Sequence, residues 1–284
     1  MTQIDIPTGP SDSALALTAV SGTPTHARWR TEAMRRHSTP RLLVINRGQG
    51  RIVVRGLTSG YTAKDLIFLP ARTLYGFEAG PGVFAQLLTL PRAMATEWPS
   101  DPVHLRLRDG AAVKELRMIL AGLEGELSGE RPHATRAAHY HAGLLSVFFH
   151  RQSLVQDRTV SEVRTETAAA RIVAAFADLV ERDFGSSRGI ADYAAELGIT
   201  PTHLSRCCRL SSGQSALALL SDRRHFEACR LLRDTSLPLT RVAKAAGYGS
   251  AAYFSRVFHG RTGQAPSRFR KTETGAFGSR PSGL

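Results

Sequence analysis

The sequence predicts an α+β protein in which a β-rich half precedes a wholly helical one. Three observations carry this. Between Arg41 and Pro91, short β-branched runs alternate with Gly- and Pro-containing turns. From Asp109 onward, apolar residues recur every three and four positions, the helical period. Near the C-terminus "HLSRCCRLSSGQS" (203–215) and "YFSRVFHGRTGQA" (253–265) repeat one pattern, Ser-Arg followed by Gly-Gln.

Each element follows in order. Residues 1–24 lack periodicity and read as a disordered lead-in. "RLLVINRGQGRIVVRG" offers two apolar runs joined through Gly48-Gln49-Gly50, hairpin chemistry. "DLIFLP", "TLYGFE" and "VFAQLLTL" add strands, with turns at Pro70-Ala71-Arg72 and Gly80-Pro81-Gly82. Strands this close together suit a small antiparallel barrel or sandwich. Val113, Leu116, Leu120, Leu123 and Leu127 then mark a helix, and a second spans 134–152 with Ala137, Leu144, Leu145 and Phe148 on one side. The domain spanning 25–155 thus ends in a helical segment. Polar residues 156–166 read as a linker, 167–271 as an all-helical domain, and 272–284 as a disordered tail. Its helices are expected at 167–183, 190–197, 201–210, 215–233, 239–246, 251–259 and 267–271.

Charge divides the chain in the same way. Thr200–Lys271 holds thirteen Lys and Arg against Asp222, Glu227 and Asp234, so it carries +10 of the net +13. A basic segment on a near-neutral remainder points to a polyanionic partner. No apolar run reaches the roughly 20 residues of a membrane span. With no basic N-terminal leader, a cytoplasmic location and no membrane partner are expected. Cys207, Cys208 and Cys229 have neither zinc nor redox spacing and read as small buried side chains.

The repeat has a physical logic. Leu204, Cys207 and Cys208 share one side of a helix, as do Phe254, Val257 and Phe258. The opposite sides carry Thr202, Ser205, Arg206 and Arg209, and Ala252, Ser255, Arg256 and His259. Each helix follows a shorter one through a glycine, Gly198 or Gly247, and starts at a cap, Thr200-Pro201 or Ser250. That describes two helix-turn-helix units. Their second helices suit the DNA major groove, where Arg206 and Arg256 match guanine edges or phosphates and Ala251 and Ala252 match thymine methyls. Ala228, Leu231 and Leu232 would anchor a long connecting helix to both units. Arg209, Arg223, Arg224, Arg261 and Arg268 are the candidate phosphate contacts.

In these residues the chain resembles the AraC/XylS family of transcription regulators, over about 167–271. Val242-Ala243, Gly247-Tyr248, Tyr253–Arg256, Phe258, Gly263, Ala265-Pro266 and Phe269-Arg270 fall on the family's second-unit pattern. Ala265 stands where Ser or Thr is usual, and His259-Gly260 where a basic pair is common. The resemblance implies base reading by Thr202, Ser205 and Arg206 and by Ala251, Ala252, Ser255 and Arg256, with the alanines making the second unit more permissive. Pro266 and Phe269 would pack the closing helix. The β-rich half is similar to the family's cupin-type sensor, and its two helices to the dimerising segment. Implied partners are promoter DNA, a small-molecule effector, RNA polymerase and a second copy of the chain.

Enzymes form the competing class. A metal-dependent cupin needs clustered His and Glu ligands, but His37 stands alone and "PARTLYGF" has no histidine. His139 and His141 lie two apart on a helix and point to different sides. Catalytic residues, metal and cofactors are therefore all expected to be none. His37, Arg41, Arg72 and Tyr75, near strand ends, are candidates to orient an anionic effector. A metal-dependent cupin enzyme fused to a DNA-binding domain, and an effector-independent DNA binder, remain the alternatives.

Overall fold

Alternation along two strands decides the architecture of the first half. In β2 (Arg41–Arg47) and β5 (Asp65–Leu69) nearly every residue is buried, so both faces of their sheet are covered. Leu42, Val44, Leu66 and Phe68 face one way and join a core with the helices, whereas Leu43, Ile45, Ile67 and Leu69 face a second sheet. The computed structural model describes residues 14–22, 34–80, 82–129, 131–159 and 168–275.

All pairing is antiparallel among β1 (Ala16–Ser21), β2, β3 (Gln49–Val54), β4 (Leu57–Thr62), β5, β6 (Tyr75–Phe77), β7 (Phe84–Thr89) and β8 (Val103–Arg106). One sheet runs β1-β7-β2-β5-β8 and the other β4-β3-β6. The expected hairpin at Gly48 is not formed. β2 pairs with β5 and β7, and β3 with β4 and β6. Gly48, at φ +88°, lets the chain cross between sheets, and a Cβ there would press on Val83. The real hairpin joins β3 to β4 through Arg55-Gly56, both at positive φ as a type I′ turn requires. β1 lies inside the stretch expected as a loose lead-in. It is held along β7 and buries Val20 between the sheets.

The helix α1 (Gly110–Ser128) starts at Asp109, whose carboxylate accepts from the Ala111 and Ala112 amides. It buries Leu116, Leu120 and Leu123 against the sheet, while Leu127 is exposed. The helix α2 (Ala134–Thr159) runs past the expected end at 152 and into the expected linker. Gln156 holds the extension to β8 by accepting from the Arg106 amide and donating to the His104 carbonyl. Leu145 and Phe148 are buried as expected, but Leu144 is exposed, because neighbouring positions on a helix face different ways. His139 Nδ1 donates to the Thr135 carbonyl, and His141 packs on Gly122, so the two rings do not converge.

The second half comprises α3 (Ala168–Asp183), α4 (Ile190–Glu196), α5 (Pro201–Ser212), α6 (Ala216–Asp234), α7 (Leu239–Ala245), α8 (Ala251–Thr262) and α9 (Pro266–Gly275). The helices sit where the sequence placed them, with α9 reaching into the stretch expected as tail. The rest of that tail, most of the lead-in and residues 160–166 of the linker lie outside the described residues.

Two cores share α6. Its first half gives Ala216, Leu219 and Leu220 to a cluster with α3, α4 and α5, and its second half gives Ala228, Cys229, Leu231 and Leu232 to one with α7, α8 and α9. Ala228, Leu231 and Leu232 thus anchor one unit only, not both. At 1.5 Å per residue the 19 residues of α6 extend about 28 Å.

Candidate nucleic-acid interface

The two units are built from the same local devices. Thr200 Oγ accepts from the His203 amide with Pro201 at the first helical position, and Ser250 Oγ accepts from the Tyr253 amide. Gly198 and Gly247 take φ of +68° and +80° in the turns. The repeated Gly-Gln also has its explanation. Gly213 and Gly263 end α5 and α8 in the left-handed conformation, φ +73° and +72°, each donating back to a carbonyl of the last turn. Glycine takes that conformation without the penalty a Cβ imposes.

These caps fix the faces of α5 and α8. Leu204, Cys207, Cys208, Phe254 and Phe258 are buried, all three cysteines are free thiols within the cores, and Val257 is half-buried. On the outward sides Thr202, Arg206, Arg209, Ala252 and Arg256 are exposed, and Ser205, Ser255 and Ala251 half-buried. Arg256 lies 5.7 Å from the centre of the exposed Tyr253 ring. The closing helix packs as the resemblance implied: Phe269 is buried edge-on against Phe258, and Pro266 is buried.

Three of the five candidate phosphate arginines have other work. Arg223 is buried and bonded to Glu181 at 2.6 Å and Glu227 at 3.2 Å, so it cannot reach a phosphate. Arg224 donates to the carbonyls of Phe184, Ser186 and Arg188 and ties the end of α3 to α6. Arg261 pairs with Asp222 at 2.7 Å. Arg209 and Arg268 stay exposed.

A second feature lies where the two halves meet. Glu181, at the end of α3, is bonded to Arg223 and also to Arg36 of the β-rich half, at 2.7 Å. Beside this link opens a cleft of about 960 Å³. His37, Arg41 and Arg72 line it, so three of the four candidate effector residues are brought together. Tyr75 is not with them. It is buried between the sheets, its ring 5.7 Å from that of His37. The cleft's other wall, Arg182, Arg223 and Arg230, was not legible as a site. Glu181 did leave a signal, since it falls on the buried stripe Val173-Ala177-Val180 of α3, where a carboxylate requires a cationic partner.

A family model described as "Helix-turn-helix domain" matches residues 193–272. That segment coincides with the two capped units. Residues 193–272 form a helix-turn-helix domain. The chain is also similar to the "Arabinose operon regulatory protein" of Escherichia coli (strain K12), 38% identical over 85 residues. The alignment covers 30% of this chain and 29% of that regulator, so the chain matches less than a third of its relative's length. The "HTH-type transcriptional activator RhaR" of Salmonella schwarzengrund is 23% identical over 245 residues, 82% of this chain and 85% of that one. Among solved structures, fatty-acid-bound ToxT from Vibrio cholerae is 16% identical with a TM-score of 0.45, over 97% of this chain and 99% of that one. No helix among the described residues is long and apolar enough to cross a membrane, and no described cluster of His, Cys, Asp and Glu has the form of a metal site.

Proposed function

We propose that the chain is a sequence-specific transcription regulator whose β-rich half senses a small anionic effector. One observation carries the reading: α5 and α8, equivalently capped, turn Arg206 and Arg256 outward at equivalent positions. Thr202, Ser205, Arg206 and Arg209 read or grip one groove segment, and Ala251, Ala252, Ser255 and Arg256 the next. The effector reading draws on His37, Arg41 and Arg72 lining one cleft. To act as a switch, the effector must bind two arrangements of the halves with different affinity.

The regulator works as a homodimer. On α2, Tyr140, Leu144, Val147 and Leu154 are 67%, 55%, 46% and 63% exposed, at the spacing of a coiled-coil seam. A second copy covers them. RNA polymerase is the partner such a promoter-bound dimer addresses.

Fluorescence anisotropy with duplex DNA from upstream of the chain's own gene tests the reading. A scrambled duplex competes, and salt is varied. The native duplex should bind more tightly, with affinity falling steeply as salt rises. Failure to bind any duplex at low salt would refute it.

A further inference from the structure

The space between the two sheets, where a barrel-shaped sensor would hold its ligand, is full. Tyr61 and Phe77 stack there at 4.8 Å, and the cavity beside them measures about 10 Å³, too small for any metabolite. Room lies instead between the halves, in the 960 Å³ cleft and in a second of about 930 Å³ lined by Thr58, His104, Ala170 and Leu210; the first is the one rich in arginine.

Its chemistry is one-sided. Among the described residues, seven arginines line it against three carboxylates. Those carboxylates are engaged: Glu181 by Arg36 and Arg223, Glu227 by Arg223 and Arg230, Asp234 by Arg233. Arg72 and Arg92 have no carboxylate within ion-pair distance among the described residues. Arg41 is a buried cation in the wall, 3% exposed. Beside it His37 buries Nε2 without a hydrogen-bond partner among the described residues. Burial, together with Arg41, Arg35 and Arg223, holds His37 well below its ordinary pKa, as expected of a site short of negative charge. Arg72 itself sits at φ +63°, a backbone conformation non-glycine residues rarely take. Apolar cover is scant, with Phe184 and Phe226 the aromatic rings in the lining. A long alkyl chain would stay wet there.

We propose that this cleft binds a compact anion carrying two or more carboxylate or phosphate groups, gripped at once by the β-rich half and by the DNA-binding half. The proposal deepens the effector reading above and rests on it for regulation, though not for binding. One charged group is taken by Arg41 and Arg72 with His37, the other by Arg230 and Arg182 across the cleft, two arginines that the anion shares with Glu227 and with Asp183 and Glu196. Planar guanidinium groups pair carboxylate and phosphate oxygens two at a time, which suits this density of arginine. The ligand lies beside the Arg36–Glu181–Arg223 link, so it competes for the groups that join the halves.

Isothermal titration of the full-length chain at constant ionic strength tests this, with citrate, inorganic pyrophosphate, acetate and oleate as probes. Citrate or pyrophosphate should bind, and which of the two binds more tightly separates carboxylate from phosphate chemistry. Acetate and oleate should bind at least about 10-fold more weakly, lacking the second group. Arg72→Gln and Arg230→Gln, one in each half, should each weaken binding about 10-fold or more. Arg136→Gln, on α2 and outside the cleft, should leave it unchanged. Binding of neither multivalent anion would overturn the proposal, as would equal weakening by Arg136→Gln, which marks diffuse attraction to a basic chain. If Arg72→Gln weakens binding and Arg230→Gln does not, the two-sided site is wrong while a sensor-only effector site stands. If both weaken it but saturating citrate or pyrophosphate leaves DNA affinity unchanged, the site stands and the effector reading fails.

Discussion

The two helix-turn-helix units share caps, turns and C-terminal glycines, yet they are embedded differently. Unit one, α4 and α5, completes its core with Met34 and Leu74 from the β-rich half. Thr58 of β4 donates to the Ser212 carbonyl at the end of α5. Unit two, α7 and α8, packs its core from its own helices, α6 and α9, with Phe226, Phe254, Phe258 and Phe269. The more polar outward face thus belongs to the unit whose core takes Met34 and Leu74 from the β-rich half. The alanine-bearing face belongs to the unit built on its own helices, which the β-rich half touches through Arg35, 5.1 Å from the Phe226 ring centre. Copies of one local design can thus differ in how far their stability depends on the β-rich half.

The largest difference should appear at the turn glycines. A Cβ at Gly247 would overlap the Phe184 carbonyl oxygen and crowd the Arg224 guanidinium, whereas a Cβ at Gly198 meets nothing. Gly247→Ala should cost about 4 kcal/mol, combining steric displacement with the positive-φ penalty, and Gly198→Ala about 1 kcal/mol. Urea unfolding followed by helical circular dichroism measures both. Equal losses would break the contrast.

Leu74→Ala removes a side chain of the β-rich half from the core of unit one. Its cost should be about 3 kcal/mol, typical of a buried Leu→Ala change, and should fall on one unit. Hydrogen exchange should accelerate along α5 and stay slow along α8. Uniform acceleration would show that the units do not differ in their dependence on the β-rich half.

Acid should reveal the opposite bias. His225 is buried with its ring 5.2 Å from Phe258, and burial, with Arg261 adding repulsion, lowers its pKa to about 4. Its folded-state pKa lies below the unfolded value near 6.5. The stability this gives is therefore full above pH 6.5 and is lost as pH falls through 4. Unit two should loosen in that window, and His225→Phe should flatten the dependence. A wild-type profile in which α8 exchange is independent of pH-linked unfolding there would contradict the assignment.

The smallest effects should be equal. Thr200→Ala and Ser250→Ala each remove one cap hydrogen bond and should cost about 1 kcal/mol apiece. The local frames of the units match even though their surroundings do not.

What the sequence revealed followed from local physics. The caps, the buried i, i+3, i+4 triplets and the helix positions were readable because each is decided within a few residues. The sheet partners of β2 and β3 were not, because a Gly-rich turn reads alike whether the chain folds back or crosses to another sheet. Arg223 and Arg224 looked like phosphate ligands because charge is legible and pairing partners forty residues away are not. The cleft was half-visible for the same reason. His37, Arg41 and Arg72 stood out near strand ends, but the wall opposite them comes from α3 and α6, and only tertiary packing brings it there.

We propose that α5 and α8 read DNA, with α5 the more discriminating. Anisotropy titrations of wild type, Arg206→Ala and Arg256→Ala against native and scrambled duplexes test it most directly. Loss of one bidentate base contact is worth about 1–3 kcal/mol, so Arg206→Ala should erode the preference for the native duplex about 10-fold or more, and Arg256→Ala should erode it less. If both variants kept the wild-type preference, the outward faces of α5 and α8 would not be the reading surface.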